Sequence, residues 1–216
     1  MNWLRSWWRS SLESWDRDAE REAKEEQDRL CAALRACGPD ARLAPKGRPE
    51  ETLGIKEIWG YEHNRSSYGL FDIDGSPIRW VNFLDAGLLE DSLRIKIIHG
   101  IPDSRNLPQV TIWIMPYKHW LYFGENVVQW SGNDHDTGIK QLLNNNIIIR
   151  EAFMTANKGR YIDQTFMLGI RYLCEQHCWL IVLEENYGLA PLEIEKEKWK
   201  CCELIAEQLL AAPVQE

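Results

Sequence analysis

Four groups of side chains in this chain have the types and spacing to do chemistry. Residues 70–76 (LFDIDGS) set Asp72 and Asp74 two positions apart after an apolar run. A carboxylate beside a divalent ion can attack phosphorus, and a second can move the proton. In a strand that spacing puts both acids on one face, with Phe71 and Ile73 on the other. Asp74-Gly75 is also a strong hairpin signal, so the competing reading is two paired strands with Asp72 turned to solvent. The second group is Asp134-His135-Asp136, between Gly132-Asn133 and Thr137-Gly138. If a loop turned these three inward they would make ligands for a divalent ion. Otherwise Asp136 or Thr137 caps the next helix. The third is Cys174, His177 and Cys178 with Cys201 and Cys202 downstream, residue types suited to zinc. Cys174 and Cys202 also continue apolar helical faces, which reads them as small core residues. The fourth is His99 at a strand end, a position for a general base, with no recognisable nucleophile motif to serve. His63 and His119 sit beside turns.

Residues 70–76 resemble the first motif of the haloacid-dehalogenase-type phosphatases, an apolar strand followed by Asp-x-Asp-Gly-Thr. The resemblance implies Asp72 as nucleophile and Asp74 as acid/base, working with Mg²⁺. Gly132-Asn133-Asp134-His135-Asp136 would then stand for the acidic motif that closes the site, and Lys118 for its cation. The match covers one motif, and Pro77 stands where the family runs on with an apolar residue. The family's alternation of parallel strands and helices has no counterpart in residues 51–130.

The elements that must position these groups are legible from periodicity. Residues 2–37 read as one long helix: 14–34 contain no Gly or Pro, and Glu20–Lys24 and Glu25–Arg29 are favourable i,i+4 pairs. Gly38-Pro39 stops it. Residues 38–50, with several Gly, Pro and charges, read as a linker to a single domain over 51–216. Strand-like runs follow at 54–61, 68–73, 78–83, 93–98, 110–115, 120–123 and 127–130. Beyond them come a short helix at 138–144, a helix at 161–176 and a strand buried on both faces at 179–183. A last helix opens at Pro191 and carries Leu192, Trp199, Cys202, Ile205 and Leu209 on one face. The expected fold class is α+β, with a long N-terminal helix, a mostly antiparallel sheet of about five to seven strands and C-terminal helices on one face.

Eleven tryptophans are present, and Trp3, Trp7, Trp8 and Trp15 fall in the first fifteen positions. With Leu4 and Leu12 they make a broad apolar stripe that must be buried against the body, a partner or a lipid surface. The formal net charge of −8 argues against nonspecific nucleic-acid binding. No apolar run is long enough to span a membrane, and Arg5 and Arg9 interrupt any secretory signal, so the expected location is cytoplasmic with six free thiols. Residues 11–30 carry eight acids to four bases, which limits residues 1–15 to weak membrane contact. The leading expectation is a non-catalytic protein-binding protein of the inhibitor or immunity sort. It would use Trp3, Trp7, Trp8 and Trp15 toward a protein partner or a second copy, with no cofactor. The alternatives are a Mg²⁺-dependent phosphohydrolase using Asp72 and Asp74, and a peripheral membrane protein tethered by residues 1–15.

Overall fold

A computed structural model describes residues 2–53, 66–89, 92–117, 127–157, 167–187 and 194–213. For residues 2–19, 66, 85–89, 92–94, 115–117, 127–128, 167 and 185–187 it describes the backbone alone. The runs at 54–61 and 120–123, Lys118, His63, His119 and Pro191 lie outside the described residues.

Helix α1 (Asn2–Cys37) leads into an eight-stranded sheet: β1 (Asp40–Leu43), β2 (Ser66–Asp74), β3 (Trp80–Leu89), β4 (Ser92–Pro102), β5 (Thr111–Tyr117), β6 (Val127–Asn133), β7 (Met167–Leu173) and β8 (Cys178–Tyr187). Helices α2 (Ile139–Asn145) and α3 (Ile147–Ala156) separate β6 from β7, and α4 (Lys196–Ala211) follows β8. The spatial order is β1-β2-β3-β4-β8-β7-β5-β6, and all pairings are antiparallel. The fold is α+β with helices on one face, as the patterning implies, but the described residues form eight strands rather than five to seven.

Two of these strands were not predicted from the patterning, and both have identifiable origins. Residues 40–43, inside the Gly- and Pro-rich stretch, add β1 to the sheet edge. Residues 167–173, inside the expected helix at 161–176, form β7. There Leu168, Ile170 and Tyr172 are buried and Gly169 and Arg171 are half-buried, a period of two. Ladders from β5 and β8 on both sides override the helical spacing of Ile170 and Leu173. Helix α3 arises where no helix is expected, opened by the Asn146 side chain accepting from the Ile149 amide at 3.1 Å. The final helix begins at Lys196, later than Pro191.

One face of the sheet packs under the helices. Phe71, Phe83, Ile97, Ile112, Ile170 and Ile181 meet Leu30 and Leu34 of α1, Phe153 of α3, and Trp199, Ile205 and Leu209 of α4. The opposite face buries a smaller cluster that includes Leu70, Trp80, Leu84, Ile98, Leu180 and Val182. Strand β8 is therefore apolar on both sides, as its uninterrupted run requires.

Trp80 and Gly100 are cross-strand partners on the second face. A Cβ built on Gly100 would lie 1.8 Å from Trp80 Cε2, so the indole lies directly on the glycine backbone. Trp80 is 3% exposed and has no solvent to move into. Gly100→Ala is expected to destabilise the protein by about 1–3 kcal/mol through overpacking. The matching double variant with Trp80→Leu should recover most of that loss in urea denaturation. Equal stability of Gly100→Ala and wild type would contradict this packing.

Candidate functional site

The two carboxylates of the Asp-x-Asp motif sit at the end of β2 on the second face. Asp72 pairs across the strands with Trp80 and Arg42, and Asp74 with Asp40. The Asp72 carboxylate accepts a short hydrogen bond from Arg48 Nη1, and Asp74 Oδ2 lies 2.5 Å from Arg42 Nη2. Arg48 also grips Glu50, with Nη2 2.9 Å from Oε1. That bond holds the Glu50 carboxyl below its usual range and strengthens the hold of Arg48 on its proton. The acids thus face arginines from the 38–50 stretch. Sequence reasoning missed Arg42 and Arg48 because a pairing 24 or 32 residues away leaves no local signal. Strands β2 and β3 do form a hairpin, and Gly75 at φ +79° opens its turn. The loop runs to Arg79 rather than closing in two residues, with Ile78 buried beneath it.

Asp134, His135 and Asp136 lie at the far edge, after β6. Six strand spacings separate β2 from β6, about 29 Å across the sheet. The two acidic motifs therefore do not converge. Asp134 Oδ2 accepts from the Lys140 amide at 3.0 Å, and Thr137 Oγ1 from the Ile139 amide at 3.4 Å, so both tie down the start of α2. The N-cap position itself is Gly138, at φ +77°, and Asp134 and Thr137 satisfy the first helix amides from before it. His135 and Asp136 are exposed at φ +46° and +60°, and His135 Nε2 lies 2.9 Å from Asn133 Nδ2. Among the described residues no three His, Cys, Asp or Glu side chains come together as a metal-binding group.

All six cysteines are free thiols. Burial pushes Cys178 and Cys201 up to about 12, and both remain protonated and unreactive at neutral pH. Cys174 stands in a 3-10 turn after β7, not on a helix, and Cys202 is buried on α4. His99 is buried, its Nδ1 3.2 Å from the Ile181 carbonyl and its ring 5.7 Å from that of Trp199. It serves the interior.

The tryptophans divide sharply. Trp80, Trp130, Trp179 and Trp199 are at most 3% exposed, and Trp113 is half-buried. Four of the five tryptophans described with side chains therefore belong to the core. The stripe at Trp3, Trp7, Trp8 and Trp15 lies on the backbone of α1, whose side chains are described only from Glu20 onward. Every residue from 20 to 25 is exposed, and Gln27, Leu30, Cys31, Leu34, Arg35 and Cys37 of α1 meet the body. At 100° per residue, positions 3, 7, 8 and 15 centre about 100° around the axis from positions 30, 34 and 37.

Both sheet edges are occupied by side chains. The Asn144 carboxamide of α2 pairs with the Trp130 backbone on β6, accepting from its amide at 2.8 Å and donating to its carbonyl at 3.3 Å. Lys140 Nζ donates to the Gly132 carbonyl at 3.1 Å. On β1, Cys31 and Arg35 of α1 both donate to the Ala41 carbonyl. No helix among the described residues is long and apolar enough to cross a membrane. No protein-family model, no curated protein and no solved structure matches this chain.

Proposed function

We propose that this is a non-catalytic binding protein that offers the tryptophan stripe of α1 to a protein partner. The observation that carries the reading is the run of six exposed residues, 20–25, between the stripe and the anchored end of the helix. A helix that has left the body by residue 25 holds about 27 Å of backbone over residues 2–19. Helix register turns the stripe about 100° away from the anchored face. Strand addition, a common alternative mode of recognition, is opposed by the side chains on both edges. The ion pairs of Asp72 and Asp74 favour a structural part for those acids.

Replacing Trp3, Trp7, Trp8 and Trp15 together by serine tests the reading. The thermal midpoint should stay at the wild-type value, while accessible tryptophan emission, read by iodide quenching, should drop. If the stripe were core, each truncation would cost about 3–5 kcal/mol and the variant would not fold. The phosphohydrolase alternative is read in parallel by comparing wild type with Asp72→Asn on an aryl phosphate with Mg²⁺. Equal background rates are expected. Turnover that Asp72→Asn abolishes would replace the binding reading with the catalytic one.

A further inference from the structure

We infer that the partner of the tryptophan stripe is the stripe of a second copy of this chain, the two α1 helices lying antiparallel and centred on residue 9. The inference rests on the reading that α1 offers its stripe to a protein, and it names that protein.

The order of large and small residues carries it. Helix α1 is unbroken from Asn2, so 100° per residue holds along the stripe. Ser11 and Ser14 then fall on the same face as Leu4 and the four tryptophans. The bulk is uneven. Trp3, Leu4, Trp7 and Trp8 crowd the first turns, and serines hold positions 10, 11 and 14 in the next. Antiparallel pairing centred on residue 9 sets Trp7 level with Ser11 of the second copy, Trp8 with Ser10 and Leu4 with Ser14. Trp3 and Trp15 come level at the two ends. Facing helices interdigitate when large and small positions alternate in this way. Parallel pairing would set Trp7 against Trp7 and serine against serine, overpacking one turn and leaving a void at the next.

Charge selects the same direction. Residues 2–12 carry Arg5 and Arg9 and no acid, whereas residues 13–20 carry four acids and only Arg17. The antiparallel pair lays each basic half beside an acidic half, with Arg5 level with Glu13. The parallel pair lays like beside like. The formal net charge of each chain is −8. Antiparallel helices hold the anchored segments, from Gln27 onward, about 50 Å apart along the axis, far beyond the screening length of about 8 Å. Eight indoles at about 150–250 Å² each supply about 1,200–2,000 Å², the size of a stable interface. The contact is its own two-fold mate, so it closes at a dimer. A lipid surface asks only for an apolar face and is indifferent to which turns hold serine.

Sedimentation equilibrium of the full chain over a concentration series tests this. A monomer–dimer equilibrium is expected. Iodide access to the stripe, open in dilute protein, should fall as the dimer forms. Ser11→Trp adds apolar surface but sets indole against indole, and Trp7→Ser leaves a void. Each should weaken the dimer about tenfold or more. The exchanged chain, Trp7→Ser with Ser11→Trp, restores the alternation and should return to within about threefold of wild type. Thermal midpoints in dilute protein should match wild type, which separates weakened pairing from misfolding. An equimolar mixture of Trp3→Cys and Trp15→Cys chains in glutathione buffer should form disulfides between positions 3 and 15 rather than between two positions 3, read by mass spectrometry. The pairing is overturned if Ser11→Trp dimerises as well as wild type, if the exchanged chain is no better than either single variant, or if the 3–3 link prevails. A wild-type monomer with the stripe open to iodide at every concentration overturns the pairing and leaves the binding reading standing. A monomer with the stripe shielded, or one that floats with anionic phospholipid vesicles through it, overturns both.

Discussion

Asp103→Ala is expected to cost about 3–5 kcal/mol, the range for removing one member of a buried ion pair. The Asp103 side chain is 4% exposed and serves three elements at once. Its Oδ2 accepts from the Trp179 indole at 2.8 Å and lies 2.5 Å from Arg105 Nη2, and its Oδ1 accepts from Arg105 Nε at 2.8 Å. Arg105 in turn donates to the Leu209 and Ala212 carbonyls, closing the C-terminal end of α4. Tyr172 donates a short hydrogen bond to the Arg105 carbonyl. Alanine would leave the guanidinium and the indole donor without their acceptor and loosen α4 from β8. Burial raises the Asp103 carboxyl, but the bonds from Arg105 and Trp179 outweigh it, and the group ends below its usual value. Its contribution is therefore present above the unfolded carboxyl's pKa and is lost as pH falls through the folded value. Urea denaturation at neutral pH checks the size of the effect; a loss under about 1 kcal/mol would mean the network is not a stabilising unit.

The second large effect is acid sensitivity from His99. Complete burial between β4 and α4, only partly offset by the Ile181 carbonyl, lowers this imidazole from 6.5 to about 4. The unfolded chain takes up a proton near 6.5 and the folded protein does not until about 4. Stability is therefore whole above pH 6.5 and declines between 6.5 and 4, by about 3 kcal/mol from this group alone. His99→Leu, an apolar replacement at a buried position, should flatten the stability profile across that window. An unchanged slope in the variant would assign the acid loss to other groups.

The legible parts of this fold are those where local pattern and tertiary demand agree. Leu180, Ile181, Val182 and Leu183 announce a strand covered on both faces, and β8 is that strand. Gly38-Pro39 ends α1 where it should. Strand β7 was hidden because Ile170 and Leu173 suit a helix as well as a strand, and only the flanking ladders decide between them. Strand β1 was hidden because Asp40–Leu43 has one buried residue in four. The acids at 72, 74 and 134 were legible as residues but not as partners, since Arg48, Arg42 and the Lys140 amide meet them through the fold.

The place of β8 in the sheet has a kinetic meaning. It alone joins the β1–β4 meander to the β5–β7 group, and its ladder with β4 closes loops of about 80 residues or more. A ribosome extends the chain from the N-terminus, so the inner edges of β4 and β7 wait unpaired until residues 178–187 emerge. Maturation should thus be slow and cooperative, and pulsed hydrogen exchange during refolding should show amide protection in β4 and β7 rising together with that in β8.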